Sequence, residues 1–432
     1  MKIVYFIELE RYNTYTINTK LGEKFKRYIQ ELSLKEIYKQ DSNDEFYFKY
    51  VGLICVEDLI IAILPKYLTI ESDEKNKENI TLIMKVLKKY NSISIDEQLE
   101  TLGSEEEKSK FNNMFAIIDF LFKDYIEYDI YENYIEKYEL NGEGEINWEG
   151  TIENESAFLV KKRPIYLDYW TRDIESNDND FIRNLHKHIL NLCVLDINKS
   201  EIQKITHILE VPNIEFIVDE ERLGEVDYQI KMIDDELKIQ YSERKIRLLK
   251  AMKLFLNNHN YETNKRLLLL GTKTFHTIWE KACGDILGNE YADRHSKYHE
   301  VIYENTKAFW HNINKNSASM RPDIVYETDD MFYIIDAKYY TEKGMIGLGV
   351  QDIAKQFMYH SAFEKEYPLK EYKNILLSPG NIDINKRISK ITMPLFIGKE
   401  IFALILDGNM VLNYYIRGER IKRKEVLNLI ES

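Results

Sequence analysis

The sequence predicts a mixed protein of the α+β and α/β classes, with a β-rich amino-terminal domain followed by a domain built on an α/β core. Residues 1–70 are rich in β-branched and aromatic residues, which favour strands. Strand-like and helix-like segments alternate over residues 272–406, which is the pattern of an α/β core. A chain of 432 residues is long enough for two domains, and we expect them over residues 1–175 and 176–432.

The amino-terminal domain is expected to contain a strand pair. Apolar residues fill positions 46–56 and 59–64 on either side of a two-residue polar break, and this arrangement predicts a β-hairpin. Pro65 should end the second strand, because proline cannot donate a ladder hydrogen bond. Residues 12–18 are dense in strand formers and predict a further strand, although their alternation is loose.

Helical patterns interrupt and follow this β-rich region. Residues 80–90 and 111–134 predict a helical insertion within the first domain, and residues 181–195 predict an amphipathic helix. A long charged stretch with regularly spaced apolar residues follows, and we expect it to form a solvated helical hairpin or arm over about residues 220–260. The α/β core is then expected over residues 272–406.

The segment that carries the predicted chemistry is a second hairpin. The runs 321–326 and 331–335 are rich in β-branched and aromatic residues and flank a short acidic turn, which predicts two paired strands. Asp336 and Lys338 are two residues apart, so their side chains project from the same face of a strand. Asp323 arrives on the neighbouring strand and can lie beside them.

Two carboxylates and an ammonium group at the end of an apolar sheet are costly to bury unless they have a task or a cation. Mg²⁺ binds hard oxygen ligands and takes one or two carboxylates together with waters and phosphate. We therefore expect Asp323 and Asp336 to hold Mg²⁺, for which Mn²⁺ can substitute, and Lys338 to orient or deprotonate the attacking water. The alternative is a chance pattern, in which this acidic and basic pair lies at a solvated strand edge.

Pro322-Asp323 and Asp336-Ala337-Lys338 together resemble the signature of the PD-(D/E)xK nucleases. The resemblance implies a nuclease domain with a mixed central sheet flanked by helices and metal-dependent hydrolysis of DNA phosphodiester bonds. It also implies a glutamate that turns toward the metal from a preceding helix, here Glu280, which would complete or orient the metal shell. The alternative for Glu280 is a surface position on an amphipathic helix.

The helices on either side of this hairpin have the expected apolar spacing. The preceding helix is predicted to bury one face and to end near Gly288; that face consists of Phe275, Ile278, Trp279, Ala282 and Ile286. On the following helix, Lys355, Gln356 and Tyr359 are predicted to share a face. The nuclease resemblance implies that Gln356 positions water or phosphate and that Lys355 and Tyr359 contact the DNA backbone.

A second resemblance extends over most of the chain. Residues 50–54 and 63–66 resemble the amino-terminal domain of McrC-type restriction subunits. The segments that resemble the LlaJI branch of this group are residues 142–148, 151–152, 279–280 and 355–359. The chain therefore resembles an McrC-like nuclease subunit of the LlaJI and McrBC restriction endonuclease family, a type II/IV-like restriction endodeoxyribonuclease that would serve in antiphage defence.

This resemblance implies two macromolecular partners. The amino-terminal domain would dock in the pore of an McrB-like AAA+ GTPase hexamer and stimulate GTP hydrolysis, while the carboxy-terminal domain would cut double-stranded DNA. The sequence contains no GxxxxGK[ST] phosphate loop, so we expect GTP to bind to the partner and not to this chain. Self-association through the nuclease domain is a further expectation.

Composition limits the remaining classes of function. A formal charge of −14 argues against a protein that coats nucleic acid through general electrostatics. The three cysteines are far apart and lack metal-site spacing, so we expect neither zinc nor disulfides, and a reducing cytoplasm is the expected location. The apolar run at the start of the sequence is too short for a signal peptide, because a charged residue interrupts it early. No apolar run approaches the roughly 20 residues of a membrane span.

Two other functions remain open from the sequence. The chain could act mainly as a GTPase-activating adaptor with weak or no nuclease activity, in which case loss of Asp336 would change nothing. It could also be a stand-alone DNA repair nuclease, which would cut DNA with Mg²⁺ and without GTP or a second protein.

Overall fold

The computed structural model describes residues 2–41, 45–56, 59–101, 114–177, 179–200, 208–258, 267–290 and 322–421. The strands, in chain order, are β1 Lys2–Ile7, β2 Tyr12–Asn13, β3 Tyr38–Gln40, β4 Glu45–Phe48, β5 Val51–Val56, β6 Leu59–Leu64, β7 Tyr134–Leu140, β8 Glu145–Ile146, β9 Phe158–Val160, β10 Arg163–Ile165, β11 Trp170–Ser176, β12 Leu267–Thr272, β13 Ile324–Glu327, β14 Met331–Ala337, β15 Glu371–Gly380, β16 Lys386–Ile391 and β17 Ile401–Asp407.

The helices, in chain order, are α1 Gly22–Lys26, α2 Ile29–Leu34, α3 Asp73–Thr101, α4 Met114–Tyr128, α5 Trp148–Asn154, α6 Phe181–Ser200, α7 Glu220–Leu223, α8 Val226–Ile239, α9 Glu243–Asn258, α10 Phe275–Leu287, α11 Glu342–Ile346, α12 Val350–Glu366 and α13 Gly408–Arg417. Over the described ranges, none of these helices is both long enough and apolar enough to cross a membrane.

The first predicted hairpin is confirmed. β5 and β6 pair antiparallel with Val56 opposite Leu59, and Pro65 directly follows β6. The strand predicted at residues 12–18 is largely wrong, because β2 ends at Asn13 and a π-helical turn follows over Ile17–Leu21. Ile17 and Leu21 are four residues apart and both are buried in the amino-terminal core, so helical spacing decides the conformation there.

The amino-terminal sheet crosses the predicted division at residue 175. Its strand order is β1-β6-β5-β12, and β12 comes from the second half of the chain. The pairing of β12 with β5 requires glycine where Gly52 meets Gly271, because a Cβ on Gly52 would lie 2.3 Å from the carbonyl oxygen of Leu270. One large hydrophobic core also includes residues from both halves. The two predicted domains therefore share a sheet and a core.

The predicted helical arm forms a hairpin that packs on the protein instead of projecting into solvent. α8 and α9 are the two long helices of this region, and α9 packs on α4. Leu248, Leu249 and Met252 of α9 are fully buried. Arg244 also forms two hydrogen bonds with the buried carboxylate of Asp124 on α4, at 2.7 and 3.0 Å. The charge density of the segment suggested solvation, but its apolar face is long enough to join the core.

Residues 134–176 form an exposed β unit, all of whose residues are described. The unit consists of the three-stranded sheet β7-β11-β8, the hairpin β9-β10 and the short helix α5. Only Thr151 and Thr171 are buried within it, so hydrogen bonds hold it together in place of an apolar core. Its base is closed by a hydrogen bond from the backbone of Asn177 to that of Asn133.

The second large sheet is mixed and has the order β13-β14-β15-β17-β16. β14, β15 and β17 are parallel, while β13 and β16 pair antiparallel at the two edges. Tyr333 and Ile335 of β14 belong to the core that includes α10, whereas Phe332 and Ile334 pack with side chains of α12. Two helices therefore cover opposite faces of β14, as expected for strands buried on both sides.

Candidate active site

The second predicted hairpin is present and brings the two aspartates together. β13 and β14 pair antiparallel with Ile324 opposite Ile335, and Asp323 directly precedes β13. Oδ2 of Asp323 accepts a hydrogen bond of 2.8 Å from the backbone N–H of Ala337. Continuation of this register sets Asp323 opposite Asp336, so the two side chains share a face.

Asn289, which sequence reasoning missed, fixes the backbone directly after Asp323, on both sides of Ile324. Its side-chain Nδ2 donates to the carbonyl oxygen of Asp323 at 2.7 Å, and its Oδ1 accepts from the backbone N–H of Val325 at 3.0 Å. Asn289 follows Gly288, the glycine at the end of α10 that adopts a φ of 76°. The local signal was an amide residue immediately after a predicted helix end, and it gave no indication of a hydrogen bond to a residue 34 positions away.

The two aspartates form a pair of like charges with little access to solvent. Asp336 is only 3% exposed. Burial and the neighbouring charges of Asp336 and Glu280 raise the pKa of Asp323 to about 7, although the hydrogen bond from Ala337 opposes the shift. A carboxyl group with such a pKa is typical of a functional site, because repulsion between close carboxylates has to be relieved by a proton or a cation.

Lys338 lies between two carboxylates. Its Nζ is 2.7 Å from Oδ2 of Asp336, which confirms that these two side chains share a face, and 3.2 Å from Oδ1 of Asp352. Burial lowers the pKa of Lys338, but the charges and hydrogen bonds of Asp336 and Asp352 outweigh it, so the pKa is raised. The ammonium group therefore keeps its proton at neutral pH, which favours an orienting role over proton abstraction.

Asp352 is the second residue that sequence reasoning missed. It lies in the first turn of α12, and Oδ2 accepts a 3.3 Å hydrogen bond from the hydroxyl of Tyr340. Asp352 thereby ties Lys338 to α12. An acidic residue in the first turn of a helix is common for dipole reasons alone, so its position gave no distinctive signal.

Glu280 of α10 lies within electrostatic range of the pair. It is half-buried on α10, and burial together with the charge of Asp336 raises its pKa, while Lys338 and Lys355 oppose the shift. α10 covers the face of β14 that carries Ile335, whereas Asp336 alternates onto the opposite face. Among the described residues, no group of three or more His, Cys, Asp or Glu side chains lies close enough to hold a metal ion.

Gln356 is buried against β14. Its Nε2 donates to the carbonyl oxygen of Ile334 at 2.9 Å, two residues before Asp336. Its Oε1 is buried and has no hydrogen-bond partner among the described residues. An unsatisfied buried acceptor is costly, and a donor such as a bound water would satisfy it. The implied role in positioning water or phosphate stays a prediction.

The predicted DNA contact of Tyr359 has to be corrected. Its ring is fully buried in a cluster with Phe332, Ile334 and Phe363, so it contributes to the packing between α12 and β14. Lys355 is exposed, and its Nζ lies 5.6 Å from the centre of the Tyr359 ring. Spacing along α12 placed both residues on one face, but a long lysine side chain at the border of that face reaches solvent.

The residues present fit a divalent cation at the aspartate pair. Asp323 and Asp336 offer hard carboxylate oxygens, and a cation would remove the repulsion that raises the pKa of Asp323. Mg²⁺ requires only one or two protein carboxylates, since waters and substrate phosphate complete its shell. Asp323 and Asp336 are therefore the residues that would hold it, and the implied role of Glu280 in completing or orienting the metal shell stays a prediction.

Comparison with known proteins identifies related sequences. A family model described as LlaJI restriction endonuclease matches residues 50–398. The Type II restriction enzyme BsuMI component YdjA of Bacillus subtilis (strain 168) is 26% identical over 447 residues, which covers 99% of this chain and 92% of that protein.

Two solved structures from Thermococcus gammatolerans are also similar to this chain. The first is a half-complex from a tetradecameric assembly of McrB AAA+ hexamers with bound McrC. It has a TM-score of 0.47 and 11% identity and covers 96% of this chain and 99% of that chain. The second is the McrBC complex, with a TM-score of 0.27 and 11% identity over 59% of this chain and 80% of that chain.

Proposed function

Because the chain belongs to the LlaJI restriction endonuclease family, we propose that it is the nuclease subunit of a GTP-dependent restriction system and that it hydrolyses DNA phosphodiester bonds with Mg²⁺. The observation that carries this proposal is the pair of Asp323, which is partly buried, and Asp336, which is buried, with Lys338 at 2.7 Å from Asp336. A nuclease site that had lost its activity would not be expected to retain two carboxylates opposite each other on paired strands, because their repulsion costs stability.

Each residue of the site has a role in this proposal. Asp323 and Asp336 would hold the cation, which would polarise the phosphoryl oxygen as a Lewis acid and lower the pKa of a nearby water. Lys338, which stays protonated between Asp336 and Asp352, orients the attacking water and offsets charge on the phosphate. Glu280 acts from the α10 side as an orienting group, and Gln356 holds a water through its buried Oε1.

The partner in this proposal is a ring-forming AAA+ GTPase, as the resemblance to McrC-type subunits implies. The exposed β unit (residues 134–176) is the segment that we assign to the ring. Large apolar side chains project from it into solvent, among them Trp148 at 56%, Phe158 at 57% and Leu159 at 78% exposure. Apolar surface of this kind, on a unit without a core of its own, is typical of a binding surface.

Plasmid cleavage tests the proposed function. The protein would be assayed with Mg²⁺ alone, with the AAA+ GTPase encoded beside it, and with that GTPase and GTP, and Asp336→Ala would accompany each reaction. We expect cutting in the complete mixture only, and its loss in the variant. Cutting by the protein alone would point to a repair nuclease. Stimulated GTP hydrolysis without any cutting would point to an adaptor.

A further inference from the structure

A lysine from the amino-terminal part of the chain lies beside the catalytic strand. Lys66 follows Pro65 at the end of β6. Its Nζ lies 4.5 Å from the ring centre of Tyr339 and 5.8 Å from that of Tyr340, the two residues after Lys338. Lys66 is half-buried, and within the described part of the chain its ammonium group forms no ion pair. The two rings therefore fix the position of the Lys66 ammonium group, which forms no ion pair with a described carboxylate.

A neighbouring carboxylate is engaged elsewhere. Glu8 accepts a 2.6 Å hydrogen bond from the hydroxyl of Tyr339 and a longer one, 3.4 Å, from the backbone N–H of Lys66. Glu8 is only 6% exposed, so it is not available to an incoming ligand. Its charge partly offsets the effect of burial, which lowers the pKa of Lys66. Glu8 thus holds the backbone of this junction and leaves the Lys66 side chain available to a ligand.

Two further basic residues lie next to Lys66. Lys49 follows β4 and is exposed, and no described residue forms an ion pair with it. His276 lies in the first turn of α10, where partial desolvation and the positive charges of Lys66 and Lys49 lower its pKa. Lys66, which follows β6, and Lys49, which follows β4, are therefore both close enough to His276 of α10 to influence its pKa, in a protein whose formal net charge is −14.

These basic residues lead toward the aspartate pair. His276 and Glu280 are four residues apart on α10 and so lie one above the other on the same face. Glu280 in turn is within range of the charges of Asp336, Lys338 and Lys355. A row of side chains thus runs from the cleavage site along α10 to the amino-terminal part. Basic side chains next to an acidic metal site are complementary to a nucleic-acid backbone. One phosphate would bind at the metal, and the neighbouring phosphates of the same strand would contact the basic side chains.

We propose that Lys49, Lys66 and His276 form a phosphate strip that binds the backbone of the substrate DNA strand where it leaves the cleavage site. This inference rests on the proposed function, because it takes DNA as the substrate. Lysines act as point charges toward phosphate oxygens, and an imidazole donates one hydrogen bond. The strip would let the amino-terminal part of the chain hold the same DNA strand that the carboxy-terminal sheet cuts.

The salt dependence of DNA binding tests the strip. Full-length protein that carries Asp336→Asn, to prevent cutting, would be titrated against a fluorescent DNA duplex at several salt concentrations, alone and with the partner GTPase and GTP. The slope of log K against log salt should become shallower by about 0.9 for each phosphate that the protein no longer neutralises. We expect this decrease for Lys66→Met and for Lys49→Met, and near-normal slopes for Lys66→Arg, which keeps the charge.

The matched control is Lys85→Met, which removes the same charge from an exposed lysine on α3 that forms no ion pair with any described residue. Circular dichroism would verify that Lys66→Met is folded, and Lys49→Met tests the strip at an exposed position where folding is not at risk. If Lys66→Met and Lys49→Met have the same slope as Lys85→Met, the strip is wrong. Absence of DNA binding by the parent protein, under both conditions, would also overturn it.

Cleavage kinetics separate this inference from the proposed function. With Asp336 intact, Lys66→Met should raise KM for DNA and leave kcat close to that of the parent, since the strip binds DNA before and during the reaction equally. Failure of the parent protein to cut DNA in the complete mixture would count against the proposed function. Normal cutting with an unchanged KM in Lys66→Met would count against the strip alone.

Discussion

The hydroxyl of Tyr339 donates a 2.6 Å hydrogen bond to Oε2 of Glu8, a residue 331 positions earlier in the chain. Glu8 directly follows β1, and Tyr339 follows Lys338 just beyond the end of β14. Both side chains are buried, at 6% and 7% exposure. The hydrogen bond therefore connects the first strand of the protein to the strand that carries the candidate active site.

Loss of this hydrogen bond should lower stability. Tyr339→Phe leaves the Glu8 carboxylate buried without its hydroxyl donor, and we expect the free energy of unfolding to fall by about 1–3 kcal/mol. Urea denaturation followed by circular dichroism measures the change. Tyr15→Phe is the matched control, since Tyr15 is 71% exposed and should be unaffected. An equal stability of both variants would show that the bond contributes nothing.

Removal of one aspartate of the pair should abolish cleavage and leave the fold intact. We expect Asp336→Ala to reduce cleavage in the complete mixture by more than about 100-fold. Loss of a residue that only orients a metal ligand costs up to about 100-fold, and Asp336 is proposed to bind the metal directly. The melting temperature should change little, because the substitution also removes the repulsion on Asp323. Asp330→Ala, in the exposed turn of the same hairpin, should cut normally. Full activity of Asp336→Ala contradicts the proposed site.

Asp352 should matter for catalysis although it belongs to a different element. Asp352→Asn weakens the hold on Lys338, whose Nζ is 3.2 Å from Asp352, while Asp336 still retains it. We expect cleavage to fall by about 10- to 100-fold, as for other residues that orient a site. Rate measurements at saturating DNA, with Asp330→Asn as the control, test this. A fall in stability that accounts for the whole loss would argue for a structural role only.

The raised pKa of Asp323 predicts a pH dependence of stability. Its pKa of about 7 in the folded protein exceeds the ordinary value of 3.8, so the folded state binds more protons between these values. The contribution of Asp323 to stability should therefore be greatest at the acidic end and fall as pH rises from 4 to 7, by up to about 4 kcal/mol for three pKa units.

Urea denaturation at several pH values without divalent cations measures this fall, with Asp323→Asn for comparison. Glu8 and Glu280 also have raised pKa values and contribute in the same direction, so the difference between the two proteins isolates Asp323. We expect a shallower decline in the variant. Identical pH profiles would show that Asp323 titrates normally.

The exposed β unit should be required for stimulation of the partner and dispensable for folding. Leu159→Asp puts a charge on an apolar side chain that is 78% exposed on β9, and we expect it to abolish stimulation of GTP hydrolysis. Thermal stability should be unchanged. Leu369→Asp, at a residue that is 97% exposed outside the unit, should stimulate normally. Normal stimulation by Leu159→Asp would exclude β9 from the interface.

Local patterns predicted the elements of the site well. The apolar spacing of α10 identified its buried face, since Phe275, Ile278 and Trp279 are at most 1% exposed, and Gly288 ends the helix. The hairpin of β13 and β14 followed from strand formers around a short turn, and the spacing of Asp336 and Lys338 predicted that they share a face. These features depend on neighbours within a few residues, so a sequence contains the necessary information.

Predictions that depended on the packing of distant segments were less successful. Tyr359 is buried because α12 lies directly on β14, and Asn289 and Asp352 reach the site only through the tertiary fold. The pairing of β12 with β5 likewise joins segments about 200 residues apart in the chain. A local sequence pattern identifies an apolar face, but it does not show which other face in the protein packs against it.

The sequence by itself determined that Asp323, Asp336 and Lys338 lie close together, because strand periodicity and hairpin register are local properties. Only the tertiary structure decided that Glu280 comes within electrostatic range of the aspartates, that Asp352 shares Lys338, and that Glu8 and Lys66 of the amino-terminal part lie next to the end of β14. Their positions follow from the burial of a common hydrophobic core. The free energy of this burial is a sum over contacts between distant segments, so no single segment of the sequence contains it.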